Sequence, residues 1–307
     1  MDRTEALSLL DLPLAELLGL ARRTRRENSI TKIELCNILN ARSGACTEDC
    51  RFCAQSSSHS TGAPIYPLKD KVEILEAARR ARAIGAKRFD IVTSGNRLTK
   101  EEVSRIASIA REIRDSIGID MCASLGGLDE EDLDLLKGSG ISRYHHNIET
   151  SPGFFPNICT THTFQDRIAT IKAAKKVGLE VCSGGIIGMG ESWADRIEMA
   201  LILKELQVDS IPLNVLVPIK GTSLGLRPEP IPALDAIRTI AIFRIILKDK
   251  IIKLAAGRES VLKDFQAMAF MAGANGMLIG GYLTIKGRSI EEDRRLVEEA
   301  ERLWLIE

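Results

Sequence analysis

"RFDIVTSGNRLTKEEVSRIASIAREIRDSIGIDMCASLGG", residues 88–127, decides the fold. It opens on an apolar run, crosses a Gly-containing turn and reaches Thr99, with Glu102 three residues later. That spacing is a capping box, in which the threonine side chain and the glutamate satisfy each other's free backbone N–H at the start of a helix. The helical stretch ends at Gly118, where a helix C-cap belongs, and a second apolar run follows. A strand, a helix and another strand make a right-handed βαβ unit with its strands parallel.

The same alternation runs through the whole chain. Eight β-like segments can be read: 32–40 (KIELCNILN), 88–95, 119–127, 141–150 (ISRYHHNIET), 180–188 (EVCSGGIIG), 210–218 (SIPLNVLVP), 251–258 (IIKLAAGR) and 276–284 (GMLIGGYLT). Gly85 and Gly178 supply further C-caps, and Ser289 with Glu292 a further capping box. Eight such units predict a closed (β/α)8 barrel of the TIM type, with a doubly wound open sheet as the alternative that counting leaves open. The expected division is one domain over 1–307: an N-terminal helical cap at 1–30, the barrel at 31–287 and a C-terminal helix at 288–307. The cap reads as two amphipathic helices, the second opening near Pro13, which cover the barrel floor or contribute to a dimer.

Composition narrows the functions. The 307 residues are 45% apolar and 27% charged, enough for a large core. Forty-two basic residues balance forty-two acidic ones, so no overall field draws the chain to nucleic acid or an anionic membrane. No apolar run approaches the roughly 20 residues needed to cross a bilayer. The first 28 residues carry charges throughout and lack a signal-peptide profile, so a cytoplasmic location is expected. Thiols stay reduced there, and seven cysteines then point to metal or redox chemistry rather than a disulfide frame.

Three of the seven fall in "ACTEDCRFCAQSS", residues 45–57: Cys46, Cys50 and Cys53. This loop follows the first strand, at the C-terminal face of a barrel, where chemistry resides. Structural zinc sites close with four ligands, and His59 is the nearest other candidate. A four-iron cluster normally takes four thiolates, so three would leave one iron open to a small molecule.

The C-x3-C-x2-C loop resembles the cluster-binding loop of the radical S-adenosylmethionine (SAM) enzymes, with Phe52 where that family keeps an aromatic residue. The resemblance implies a 4Fe-4S cluster whose open iron chelates the amino and carboxylate groups of SAM. It also implies reductive cleavage of SAM to methionine and a 5′-deoxyadenosyl radical that abstracts hydrogen. Gly184, Ile186, Gly188 and Glu191 in "GGIIGMGE" match the family's adenosine pocket. Asn147 and Glu149 in "HNIET" match a segment holding the ribose and amino acid portions, and Arg167 matches a basic residue near the cofactor. No general acid or base is assigned, because the key step is hydrogen-atom abstraction.

From about Ile33 to Thr284 the chain is similar to the biotin synthase family, through "SGACTEDCRFCAQSS", "HHNIETSPGFFPNICTTHTFQDR", "VCSGGIIGMGES", "IPLNVLVPIKGT" and "LAAGRESVLKDFQAMAFMAGANGMLIGGYLT". That likeness implies sulfur insertion into dethiobiotin, with an auxiliary iron–sulfur cluster in the barrel as the sulfur donor. Familiar members hold that cluster with cysteines on strands two, three and five and an arginine on strand seven. Cys122 and Cys182 match, but Asp90 and Lys253 stand at the other two positions. Cys36 is the expected replacement, because inward residues on strands one, three, five and seven share a layer. Lys253 would balance charge rather than ligate iron, being a mobile point charge where arginine is a planar fork. A four-iron cluster with an open iron is favoured, and a 2Fe-2S cluster with Cys36 as ligand stays open.

Arg88 matches a basic residue beside this cluster. Asn214 and Asn147 match substrate contacts, and His145 stands where familiar members carry asparagine; it reads equally as a core-edge histidine. Cys159 matches no family ligand and reads as a packing residue. The likeness also implies a low-potential electron donor, ferredoxin or flavodoxin, and a homodimer. Two other functions are weighed: a related radical enzyme performing a carbon-skeleton rearrangement or hydrogenase-cofactor maturation, and a non-catalytic metal-binding protein.

Overall fold

A computed structural model describes residues 1–226, 229–283 and 287–306. Eight parallel strands close into a ring: β1 (Glu34–Arg42), β2 (Arg88–Thr93), β3 (Asp120–Ser124), β4 (Ile141–His145), β5 in two pieces (Glu180–Cys182 and Gly185–Ile187), β6 (Ser210–Val215), β7 (Ile251–Leu254) and β8 (Gly276–Leu278). Each strand pairs with its neighbour in sequence, and Glu34 opposite Gly276 closes β1 onto β8. The barrel, not the open sheet, is the outcome.

Helices cover the outside: α1 (Arg3–Ser8), α2 (Leu14–Glu27), α3 (Lys71–Ala83), α4 (Lys100–Ser116), α5 (Glu130–Gly138), α6 (Phe164–Lys176), α7 (Trp193–Glu205), α8 (Ala233–Leu247), α9 (Arg258–Val261), α10 (Gln266–Met271) and α11 (Ile290–Ile306). The Thr99–Glu102 capping box opens α4, and Ser289 and Glu292 exchange the same pair of bonds before α11. Gly85, Gly118 and Gly178 each adopt positive φ at the end of a helix. No described helix is long and apolar enough to cross a membrane.

The N-terminal helices join this outer layer, α1 against α7 and α2 against α8 and α10. That explains why α8, "ALDAIRTIAIFRIIL", is apolar around most of its circumference: it is covered by the barrel on one side and by α2 on the other.

Every strand but the first ends earlier than the sequence suggests, the fourth and the eighth by the most. The fourth strand stops at His145, because the chain turns away at Glu149, whose φ is +68°. The eighth stops at Leu278, where Gly280 and Gly281 take positive φ, and Thr284 at the end of that segment lies outside the described residues.

Candidate active site

Gly44 and Ala45, at φ +72° and +49°, turn the chain off β1 into the cysteine loop. A side chain at Gly44 would meet Ile65 Cγ1 at 2.6 Å, so the turn needs glycine. Within the loop, Cys53 N donates to Cys50 O at 2.9 Å and Ser57 N to Cys46 O at 2.7 Å. The loop's two acids dock it on the segment before α6: Asp49 accepts from Thr160 N at 2.9 Å and Thr161 N at 3.3 Å, and Glu48 from Thr161 Oγ1 at 2.6 Å. All three loop thiols line a cavity of about 200 Å³, together with Phe52, His146, Glu149 and Arg167. Cys159 is buried in the core, and its Sγ lies 3.8 Å from Cys50 Sγ, so it borders the loop as it packs.

The end of β4 faces this cavity, and glycine makes that approach possible. Added side chains at Gly184 and Gly185 would stand 2.1 Å from Pro212 O and 2.2 Å from Glu149 O. Asn147 Oδ1 accepts from Gly184 N at 3.0 Å, Arg167 Nη1 donates to Asn147 O at 3.0 Å, and Arg167 lies 3.7 Å from Glu149 Oε1. Asn147, Glu149, Arg167 and Ile186 thus face open space, whereas Gly188 and Glu191 sit behind it. The Glu191 carboxylate accepts from the N–H groups of Gly188, Met189 and Gly190 and pairs with Arg196 at 2.7 Å, a turn-holding role.

A second cavity of about 350 Å³ adjoins the first, sharing Phe52, Cys53, Gln55, His146, Glu149 and Arg167 with it. It descends into the barrel and is lined by inward residues of the strands: Cys36, Asp90, Cys122, His145, Cys182, Asn214 and Lys253. The interior thiols on odd strands therefore face one space, and all three are at most 4% exposed. Asn214 spans two strands, donating to Gly185 O at 3.2 Å and accepting from Ala256 N at 3.1 Å. Arg88 does not line the cavity. It lies beneath, bound to Glu34 at 3.2 Å, Ser142 Oγ at 2.9 Å and Glu180 at 3.0 Å.

The electrostatics of this interior divide, burial disfavouring the anion at Cys36 and Cys122 and nearby cations favouring it at Cys182. Burial raises the Cys36 thiol to about 11 and pushes Cys122 well up. For Cys182 burial acts the same way, but Lys253, His145 and Arg143 outweigh it and bring the thiol down to about 7. Burial would lower Lys253, yet the surrounding thiols and Glu34 hold it above its ordinary value. Burial likewise opposes the charge on His145, which Cys182 and Asp90 raise to about 9. One oxygen of Asp90, Oδ1, is buried with no hydrogen-bond partner. Three converging thiols with cations around them fit a soft iron–sulfur centre better than a hard cation, which prefers oxygen.

Sequence reading missed Arg143 and Glu34. Arg143 reaches Glu34 at 2.7 Å and Glu180 at 2.9 Å, and Lys253 lies 3.7 Å from Glu34. Burial opposes ionisation of Glu34, but Lys253, Arg143 and Arg88 hold its pKa down at about 2. Period-two alternation was the available signal: Glu34 is two residues before Cys36, and Arg143 two before His145, on inward faces. His162 is a further residue the sequence did not mark: Cys159 and Arg167 are near it along the chain, but its contact with Glu48 is made across the fold.

The radical SAM superfamily profile matches residues 41–203, and that of the Biotin and Thiamin Synthesis associated domain matches 212–302. The biotin synthase of Thermotoga neapolitana is 56% identical over 274 residues, covering 89% of this chain and 98% of its own. That of Pelotomaculum thermopropionicum is 47% identical over 300 residues, covering 96% and 92%. Among solved structures, methylornithine synthase superposes with a TM-score of 0.82 at 20% identity, over 98% of this chain and 92% of that one. The FeFe-hydrogenase maturase of Carboxydothermus hydrogenoformans does so with a TM-score of 0.81 at 18% identity, over 97% and 75%. At those identities the superpositions speak for the barrel and not for a substrate.

Proposed function

The chain belongs to the biotin synthase family of the radical SAM superfamily, and on that premise we propose that it converts dethiobiotin to biotin by sulfur insertion, with Cys46, Cys50 and Cys53 holding a 4Fe-4S cluster and Cys36, Cys122 and Cys182 an auxiliary iron–sulfur cluster. The observation that carries the site assignment is the pair of adjoining cavities, which leads from the loop thiols past Glu149 and Arg167 to the interior thiols. When bound, the first cluster and SAM supply the hydrogen-abstracting radical, and the auxiliary cluster supplies sulfur.

The chain's own residues position and enclose. Asn147, Glu149 and Arg167 orient SAM at the mouth, where a fixed and short approach decides whether hydrogen abstraction is productive. Ile186 and Phe52 give the adenosine an apolar wall, while Gly184, Gly188 and Glu191 shape the turn behind it. His145, Asn147 and Asn214 face the stretch between the two sets of thiols, where dethiobiotin would lie. Lys253 and Arg143 offset negative charge on the auxiliary centre, and Arg88 stands beneath it, paired with Glu34 and within electrostatic reach of Cys122. The four-iron form with an open iron is preferred because three thiolates leave one iron unligated. The reading further takes the protein as a cytoplasmic homodimer served by ferredoxin or flavodoxin.

The test is anaerobic incubation of the iron-loaded, reduced protein with SAM and dethiobiotin, followed by mass spectrometry. Biotin and 5′-deoxyadenosine are both expected, and Cys50→Ser should abolish both. Formation of 5′-deoxyadenosine without biotin would move the chain to another reaction of the superfamily.

A further inference from the structure

His162 occupies a joint between the cysteine loop and the mouth of the barrel. Its Nδ1 contacts the Glu48 carboxylate, which belongs to the loop, and its Nε2 lies 3.1 Å from Arg167 Nε. Arginine can only donate, so Nε2 must be the accepting nitrogen and Nδ1 must carry the proton that Glu48 receives. The neutral ring therefore has one tautomer that satisfies both partners. Phe155 packs edge-on against the ring at 5.7 Å and also lies beneath the Arg167 guanidinium at 5.8 Å, so the two side chains share an apolar backing.

This arrangement determines what is left of Arg167. Its Nε is held by His162 and its Nη1 by Asn147 O, and neither contact uses Nη2. A long, flexible side chain is thus fixed at two points, with its remaining amine free of both where the two cavities meet. We propose that His162 is a positioning residue that couples the cysteine loop to Arg167, so that the loop and the cofactor-facing guanidinium keep one relative placement. This rests on the functional reading above, because it takes Arg167 as a contact for SAM. The Glu48 end matters as much as the Arg167 end. Through Glu48 the ring is tied to the segment between Cys46 and Cys50, and a displacement of that segment is transmitted to the guanidinium.

The test compares His162→Leu with His162→Gln in anaerobically iron-loaded protein, reading SAM affinity by titration calorimetry and loop iron by metal analysis. Leucine removes both contacts, whereas the glutamine amide keeps one donor and one acceptor. SAM binding by His162→Leu is expected to weaken about tenfold, as for loss of one anchoring hydrogen bond to a charged group. His162→Gln is expected to stay within about threefold of the unaltered protein, and iron content should be equal in all three. Equal SAM affinity in His162→Leu and the unaltered protein would overturn the proposal. Loss of iron in His162→Leu would overturn it too, since the residue would then support the loop rather than place Arg167. Absence of SAM binding by the unaltered protein would instead defeat the functional reading itself.

Discussion

Cys36 is two residues along β1 from Glu34, 3.5 Å from its carboxylate, and so stands at an inward position at the depth where the floor ion pairs begin. Its neighbours across the cavity are Cys122 on β3 and Cys182 on β5, with Lys253 on β7. A thiol at this position in a closed apolar core would be an ordinary packing residue; here it borders open space and cations. On the proposed four-iron form of the auxiliary cluster, Cys36→Ala should lower iron from about eight atoms per chain to about four, with the Mössbauer signal of the loop cluster unchanged. Unaltered iron and sulfide would remove Cys36 from the ligand set. Asp90, the residue at the position where familiar members carry a cysteine, has a buried oxygen without a partner, but its hard donor suits iron–sulfur chemistry poorly.

At the level of elements, the break in β5 is the feature on which the mouth depends. The strand is interrupted between Cys182 and Gly185, and both glycines there allow the backbone of β4 and β6 to approach within distances that a side chain would fill. Glu149 pairs with Gly185 across this gap, and Ile186 N donates to Glu149 O at 2.9 Å, which fixes the strained turn at the end of β4. Gly184→Ala would force a methyl group onto the Pro212 carbonyl, with a cost of about 2–3 kcal/mol from overpacking. Urea unfolding of the cluster-free protein should show that loss as a lower midpoint with an unchanged slope. An unchanged midpoint would mean that β5 can shift without penalty.

Over the whole molecule, the last helix is tied to the barrel by a buried ion pair. Arg258 donates to Asp293 on α11 at 2.6 Å, and the two side chains are only 2% and 1% exposed. Asp293→Asn would leave Arg258 with Glu259 as its remaining acidic partner at 3.2 Å, at a cost of about 2–3 kcal/mol. Trp304 on the same helix is 7% exposed and lies under Arg25 of α2 at 4.3 Å, so its fluorescence should shift to the red in the variant at urea concentrations that leave the barrel folded. A single coincident transition would show that α11 does not detach independently. How much of all this was legible beforehand follows from the range of the forces involved. The alternation of strands and helices, the capping boxes at Thr99 and Ser289, the C-cap glycines and the three-cysteine loop are local patterns, so the sequence by itself determined the eight strand–helix units and the place of the loop after the first strand, whereas closure into a barrel rather than an open sheet was decided by the long-range pairing of β1 with β8. The convergence of Cys36, Cys122 and Cys182 on one cavity was inferable from strand parity, because side chains alternate with a period of two. The ion pairs of Arg143 and Glu34, the turned-away carboxylate of Glu191 and the junction at His162 were decided only by tertiary structure. Each joins residues dozens to more than a hundred positions apart, or depends on which way a side chain turns, and no short-range pattern encodes either.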